Sequence, residues 1–469
     1  MSEEAALANL EKVDHFVVLM LENRSFDHML GYLSLAGGRS DIDGLRREFA
    51  NHHQGRSYPV HHLDATNIAI DPDHSSSAID VQVGEGRMDG FVASLAATLS
   101  GREVQDGDAG LAMGYFDAAD VPVHDHLAEE FVVCDSWFSS VPGSTWPNRL
   151  YSLCGRADGS RDDRPPDVPP MYDQPSFVRH LDAHRISWRW YSFDPATLRM
   201  ADAHYTVGHH DRIAYFSKTG LPWKSKVEVR TSSRAASFLE DAARGTLPSV
   251  AWIDPSFSNF NELGVPPNDD HAPADIRDGQ ELVLAAYDAL ATSPQWERSL
   301  LVVVYDEHGG FFDHVSPPEA RDDNPQMFGR YGVRVPAIIV SPWVERRSVS
   351  KTLFDHTSII KTILLRFCPE ALDDQPPTGR RPFRLSGGEP QHPGARVVHA
   401  NHLGDLLRAT TPRPAPARQA LIDAAATRAS EEAASAGPRT DSQTPTDLQR
   451  RIIAATHELT RRGHPRGAP

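Results

Sequence analysis

Five short apolar runs, rich in β-branched residues, are spaced along the chain: HFVVLML (15–21), FVVCDSWF (131–138), SVAWID (249–254), LLVVVYD (300–306) and VPAIIVSPW (335–343). They are apolar at nearly every position rather than at every second one. That pattern reads as strands buried on both faces, as in a parallel sheet. ISWRWYSF (186–193) predicts a sixth strand. Helical periodicity lies between them. GQELVLAAYDALATSP (279–294) places Leu282, Ala285 or Ala286, and Ala289 on one face, and DHTSIIKTILLRFCP (355–369) opens on an N-cap candidate and stops at a proline. The alternation predicts an α/β fold with a mainly parallel central sheet.

Residues 39–110, rich in His, Asp, Gly and Ser, read as long loops carrying short elements, and 155–175 and 316–330 as Pro/Asp/Gly connections. The character changes after about residue 370. DDQPPTGRRPFRLSGGEPQHPGAR reads as a linker, followed by helices over about 415–435 and 445–462. In the second, Leu448, Ile452, Ala455 and Leu459 share a face that is expected to dock on the main domain. The expected division is therefore a main domain over 1–370 and a linker with a helical C-terminal extension over 371–469.

With 469 residues, 40% of them hydrophobic, the chain can bury a sizeable core. Its formal net charge of −17 disfavours nonspecific binding to nucleic acid or to an anionic membrane. No apolar run is long enough to span a bilayer. The first residues, MSEEAALANLEKVD, lack a basic-then-apolar leader pattern, so the expectation is a cytoplasmic protein, with export as the alternative. Cys134, Cys154 and Cys368 are odd in number and lack metal-type spacing, which predicts reduced, buried thiols. Nothing in the pattern speaks to oligomeric state.

The candidate chemistry gathers at strand ends, where open α/β sheets bind ligands. The run LVVVYDEHGGFFDHV (301–315) stops at Asp306, Glu307 and His308, and the first run ends at Glu22 and Asn23. A single acidic pair is ordinarily a cap or a solvated loop. Two oxygen-donor pairs, each closing a buried strand, favour a hard divalent cation, because adjacent buried carboxylates need positive charge nearby. In GSTWPNRL (143–150), Ser144 or Thr145 caps a helix starting near Trp146–Pro147. A hydroxyl at a helix start beside a cation is a candidate nucleophile for phosphorus. Of the 23 histidines, His74, His210 and His271 lie in polar loops within possible reach of the same mouth, as phosphate ligands or leaving-group acids.

LENRSFDHMLGYL (21–33), MDGFV (88–92), the stretch 113–155 ending in GSTWPNRLYSLCG, VYDEHGGFFDHV (304–315), GVRVPAIIVSPW (332–343) and DHTSIIKTI (355–363) together resemble the bacterial phosphoesterase family. That family contains phosphatidylcholine-type phospholipases C and a group of acid phosphatases, and looks like a branch of the alkaline phosphatase superfamily. The likeness runs from about residue 12 to about 370. It implies a three-layer, alkaline-phosphatase-like sandwich. It also implies one divalent ion held by Glu22, Asn23, Thr145, Asp306 and Glu307, with Thr145 as nucleophile and Ser144 as the adjacent alternative. His74, His271 and His210 are then implied as phosphate- or leaving-group-contacting histidines, although the family's EHP loop reads DDHAPAD here. The implied activity is phospholipase C-type cleavage of a small-molecule or phospholipid phosphoester through a phospho-threonine. The alternatives are acid-phosphatase-type monoester hydrolysis and, in a different class, noncatalytic binding of a phosphorylated ligand. Two features depart from the family: no twin-arginine leader is visible, and the tail lacks the β-domains of the large phospholipases.

Overall fold

The apolar runs become the strands of one eight-stranded sheet. In the computed structural model the described residues are 2–35, 38–100, 108–164, 172–223, 235–258, 265–373, 388–435 and 447–461. The strands are β1 (His15–Leu21), β2 (Val132–Cys134), β3 (Trp188–Ser192), β4 (Ile213–Tyr215), β5 (Val250–Ile253), β6 (Ser299–Tyr305), β7 (Ala337–Val340) and β8 (Ser348–Ser350). Their order across the sheet is β8-β2-β7-β6-β1-β5-β3-β4. β1, the first strand along the described residues, sits between β5 and β6 and is parallel to both.

The sheet corrects one expectation. VPAIIVSPW forms β7, which runs antiparallel to β6 on one side and β2 on the other. A strand buried on both faces is uniformly apolar whichever way it runs, so the pattern carries no direction. The other pairings in the sheet are parallel.

Helices cover both faces. Phe16 pairs in register with Leu300 and Leu21 with Tyr305, so Phe16 and Tyr305 project to opposite sides. Labelled in chain order, the helices that matter here are α1 (Glu3–Leu10), α2 (Ser76–Val83), α3 (Phe91–Leu99), α4 (Pro122–Glu130), α5 (Thr145–Cys154), α6 (Ile276–Thr292), α7 (Thr357–Phe367), α8 (Gln419–Ser435) and α9 (Asp447–Arg461). On the Phe16 side lies α7, whose Phe367 meets Phe16 edge-on at 5.7 Å, with α5 packed beside it. On the Tyr305 side lie α4 and α6, joined by contact between Gln280 and His124, whose ring lies 3.3 Å from the Tyr305 hydroxyl. The result is a three-layer sandwich.

Residues 39–110 hold more order than their composition predicts. A hairpin (Ala50–His53 with Arg56–Pro59) and the two-turn helices α2 and α3 build a second small core around Ile79, Val83, Phe91, Val92 and Leu95. Helices this short show no periodicity above noise. At the other end of the chain, Ala425 of α8 and Ile452, Ala455 and Leu459 of α9 are buried in the main core. Most of the predicted linker, residues 374–387, and the side chain of Leu448 lie outside the described residues. Cys134, Cys154 and Cys368 are buried free thiols, as expected. Among the described residues no helix is long and apolar enough to cross a membrane.

Candidate active site

β1 and β6 lie side by side, so the residues that leave their carboxyl ends emerge together. The two exits are stitched through the backbone and one carboxylate. The Asn23 N–H donates to Asp306 Oδ1 at 3.0 Å, and the Arg24 N–H to the Glu307 carbonyl at 3.0 Å. Asn23 takes a left-handed conformation (φ 61°), which a short amide side chain tolerates better than most. The two glycines after His308 follow from this crowding. Gly309 has φ 63°, and a Cβ there would stand 2.1 Å from the Asn23 carbonyl oxygen. Gly310 has φ 75°, and its Cβ would meet Pro72 at 2.7 Å. Without a side chain at 309, that residue's N–H turns back to donate to Glu307 Oε2 at 2.8 Å.

Glu22, Asp306 and Glu307 are completely buried. Arg149, one turn into α5, sets its guanidinium 2.8 Å from Glu22 Oε1 and 3.4 Å from Asp306 Oδ2, and donates to the Met20 carbonyl at 3.2 Å. One guanidinium does not balance three carboxylates. Burial, and then the charge of Glu22, push the Asp306 carboxyl well above the ordinary carboxylate range. Burial opposes the Glu307 charge as well, but His74, His308 and the Gly309 N–H outweigh it and hold that carboxyl low. Arg149→Ala is expected to cost about 3–5 kcal/mol, because it strands buried carboxylates without their cation. Urea unfolding of the metal-free protein checks this, and a change under about 1 kcal/mol would contradict the pairing.

Thr145 opens α5, is 2% exposed, and places its hydroxyl 3.4 Å from Asn23 Oδ1. The Ser144 hydroxyl faces elsewhere, toward the His74 carbonyl at 3.4 Å and Asp162 at 3.5 Å. The Asn23 amide nitrogen lies 3.2 Å from His74 Nε2 and 3.0 Å from His271 Nε2. His271 also approaches Asp71 at 3.2 Å through Nε2 and Glu22 at 3.5 Å through Nδ1. Burial disfavours both imidazolium ions. Even so, the charges of Glu307 and Asp71 hold His74 above the ordinary histidine range, and Asp71 and Glu22 hold His271 well above it. Seven of the residues singled out from the sequence thus converge: Glu22, Asn23, His74, Thr145, His271, Asp306 and Glu307.

His210 does not join them. It is exposed, three residues before β4 begins. β4 runs parallel to β3, β3 to β5, and β5 to β1, so His210 sits at the amino rim of the sheet, opposite the site. A histidine-rich loop records composition and not the end of the strand to which it is attached. Sequence reasoning also missed Asp71, which faces both site histidines, and gave Arg149 no part in the site. Their pairings are purely tertiary, and the only local signal was the density of acids around His74 and the PNR triplet itself. Trp137, Phe138 and Trp146 are buried core residues, with Trp146 stacked on Tyr172 at 5.0 Å.

The donor set fits a hard cation. Glu22 Oε2, Asp306 Oδ2 and Glu307 Oε1 are buried oxygens with no hydrogen-bond partner among the described residues. An unpaired buried acceptor is costly, and several in one place point to a missing positive ligand. The carboxylates are not drawn to mutual ligand distance, and Arg149 bridges two of them. Next to them, Asp71, His74 and His271 do place one ligand atom each within 4.8 Å of one another.

Residues 13–368 match the model of the Phosphoesterase family. Non-specific phospholipase C6 of Arabidopsis thaliana is 34% identical over 373 residues, covering 74% of this chain and 66% of that protein. Non-specific phospholipase C1 of the same plant is 32% identical over 377 residues, covering 74% and 65%. Phospholipase C A of Mycobacterium tuberculosis is 28% identical over 411 residues, covering 76% and 74%. The chain thus spans just under two thirds of the length of the two plant proteins. Among solved structures, a protein in the alkaline phosphatase superfamily from Vibrio parahaemolyticus superposes with a TM-score of 0.35 at 10% identity, covering 78% of this chain and 75% of that one. The lipoteichoic acid synthase LtaP from Listeria monocytogenes does so at 0.36 and 11%, covering 83% and 77%.

Proposed function

This chain belongs to the phosphoesterase family, and from that premise we propose that it is a metal-dependent hydrolase of phosphoric esters that cleaves phosphodiesters in the manner of a phospholipase C, through a phosphorylated Thr145. One observation carries the proposal: buried carboxylate oxygens from two adjacent strand ends, without a hydrogen bond among the described residues, stand beside a hydroxyl at a helix start. Glu22, Asn23, Asp306 and Glu307, with the Thr145 hydroxyl, would hold one divalent cation of the oxygen-preferring kind. When bound, it supplies Lewis acidity, offsetting charge on the phosphoryl oxygens and favouring ionisation of a nearby hydroxyl.

The chain's own residues do the rest. Thr145 gives up its hydroxyl proton to solvent as Oγ1 attacks phosphorus in line, and the bond from phosphorus to the departing alcohol breaks; solvent later returns a proton to His271. The phosphoryl group, with its remaining ester, passes to Thr145. His271, steadied by Asp71, gives a proton to the leaving oxygen, and His74 bonds a phosphoryl oxygen. Water then displaces Thr145, releasing a phosphomonoester and restoring the hydroxyl. The choice of Thr145 over Ser144 is supported by direction: only the former reaches toward Asn23.

Assays of the full chain with divalent cation on a phosphomonoester, a simple phosphodiester and a phosphocholine diester test this proposal. The diesters are expected to exceed the monoester at least tenfold in kcat/KM. Monoester preference would replace the reading with a phosphatase, and no turnover on any of the three would replace it with a phospho-ligand binder.

A further inference from the structure

We propose that Arg451, on the C-terminal helix α9, is a positioning residue for the reacting helix α5, acting through Asp163; this rests on the reading of Thr145 as the attacking hydroxyl. α9 lies outside the stretch 13–368 that matches the family, yet it is not a loose appendage. Ile452, Ala455 and Leu459 bury one face of it in the main core. Arg451, on the same helix, is only 8% exposed. Arginine is almost never buried to that degree without an anion. Its anion is Asp163, with Nε 3.4 Å from Oδ2.

Asp163 is where α9 meets the chemistry. Its Oδ1 accepts the N–H of Trp146 at 2.9 Å, the residue directly after Thr145. That N–H belongs to the first turn of α5, where the backbone has no partner of its own within the helix. The adjacent Asp162 accepts both the N–H and the hydroxyl of Ser76 at 2.6 Å each, two residues beyond His74. The Asp162–Asp163 pair therefore ties the start of α5 to the loop that carries His74. Asp163 is half-buried, and a carboxylate so enclosed is held in place by a facing cation. Arg451 supplies it from a segment about 290 positions away in the chain. Without it, Asp163 loosens its hold on Trp146, and Thr145 loses the fixed direction on which in-line attack depends.

Hydrogen exchange of the intact protein, read at peptides covering Ser144–Leu150, tests this without turnover. Arg451→Ala is expected to speed exchange there at least fivefold while core strand β6 keeps its protection. Arg451→Lys is expected to restore part of it, and Arg461→Ala, at an exposed arginine on the same helix, to change nothing. Asp163→Asn should give the same local pattern, and adding it to Arg451→Ala should add little. In steady-state assays Arg451→Ala is expected to lower kcat about tenfold with KM within twofold. Unchanged exchange at Ser144–Leu150, exchange raised uniformly along the chain, or a rise in KM with kcat intact would each overturn the proposal. If the wild-type protein turns over no substrate, the hydrolase reading falls and the exchange pattern alone decides the role of Arg451.

Discussion

Thr145→Ala is expected to lower kcat by at least about 10,000-fold, because the covalent route is lost, with substrate binding changed no more than a few-fold. The effect should be chemical and not structural. The hydroxyl makes one long contact, 3.4 Å to Asn23, and alanine is well tolerated at a helix start. The melting temperature should stay within a few degrees of wild type. Ser144→Ala is the control that gives the result its meaning. Its hydroxyl faces the His74 carbonyl and Asp162, so it should keep at least a third of the activity. If Ser144→Ala is inactive and Thr145→Ala active, the nucleophile is Ser144. A phosphate ester trapped on residue 145 by acid quench, and absent from the alanine variant, would identify the bond that forms.

Chelation is expected to abolish turnover and also to lower stability, and the second effect needs no substrate. Glu22, Asp306 and Glu307 are wholly buried around a single guanidinium, and three of their oxygens lack a hydrogen bond among the described residues. A cation that binds only the folded chain stabilises it by about 2.7 kcal/mol at a hundred times its dissociation constant. The chelated protein should therefore melt several degrees lower, and added divalent cation should restore both melting temperature and rate. Asp306→Asn removes one charge from the set and should blunt the thermal response to cation. A melting curve indifferent to chelator and to added cation would remove the metal from the site.

Much of this site was legible because two physical signals coincided. Uniformly apolar runs marked buried strands, and polar residues at their ends marked the rim. Glu22–Asn23 and Asp306–Glu307 satisfied both conditions, and their strands are neighbours in the sheet. His74 and His271 came from polar loops that offered His210 equally, since such loops have no periodicity to anchor them. His210 failed because nothing local says which rim a loop belongs to, and β7 failed because an apolar run has no arrow. Arg149 was visible as part of PNR, but its partners lie more than 120 positions away, at Glu22, and farther still, at Asp306. Asp162 and Asp163 fall within 155–175, which reads only as a Pro/Asp/Gly connection. Their work is defined by Ser76, Trp146 and Arg451, which no window of sequence brings together.

The central place of β1 has a consequence for how the chain is made. β1 is made well before both of its flanking strands, β5 and β6, which are synthesised more than 200 residues later. The contact that joins the two halves of the rim, Asn23 to Asp306, spans 283 positions. A nascent chain must therefore carry an almost wholly apolar segment with two bare edges until those strands are made. High contact order of this kind slows folding and lengthens exposure to aggregation. The rim cannot assemble before β6 has been made, so C-terminally truncated chains ending before residue 299 should be captured by chaperones and never accumulate as folded protein.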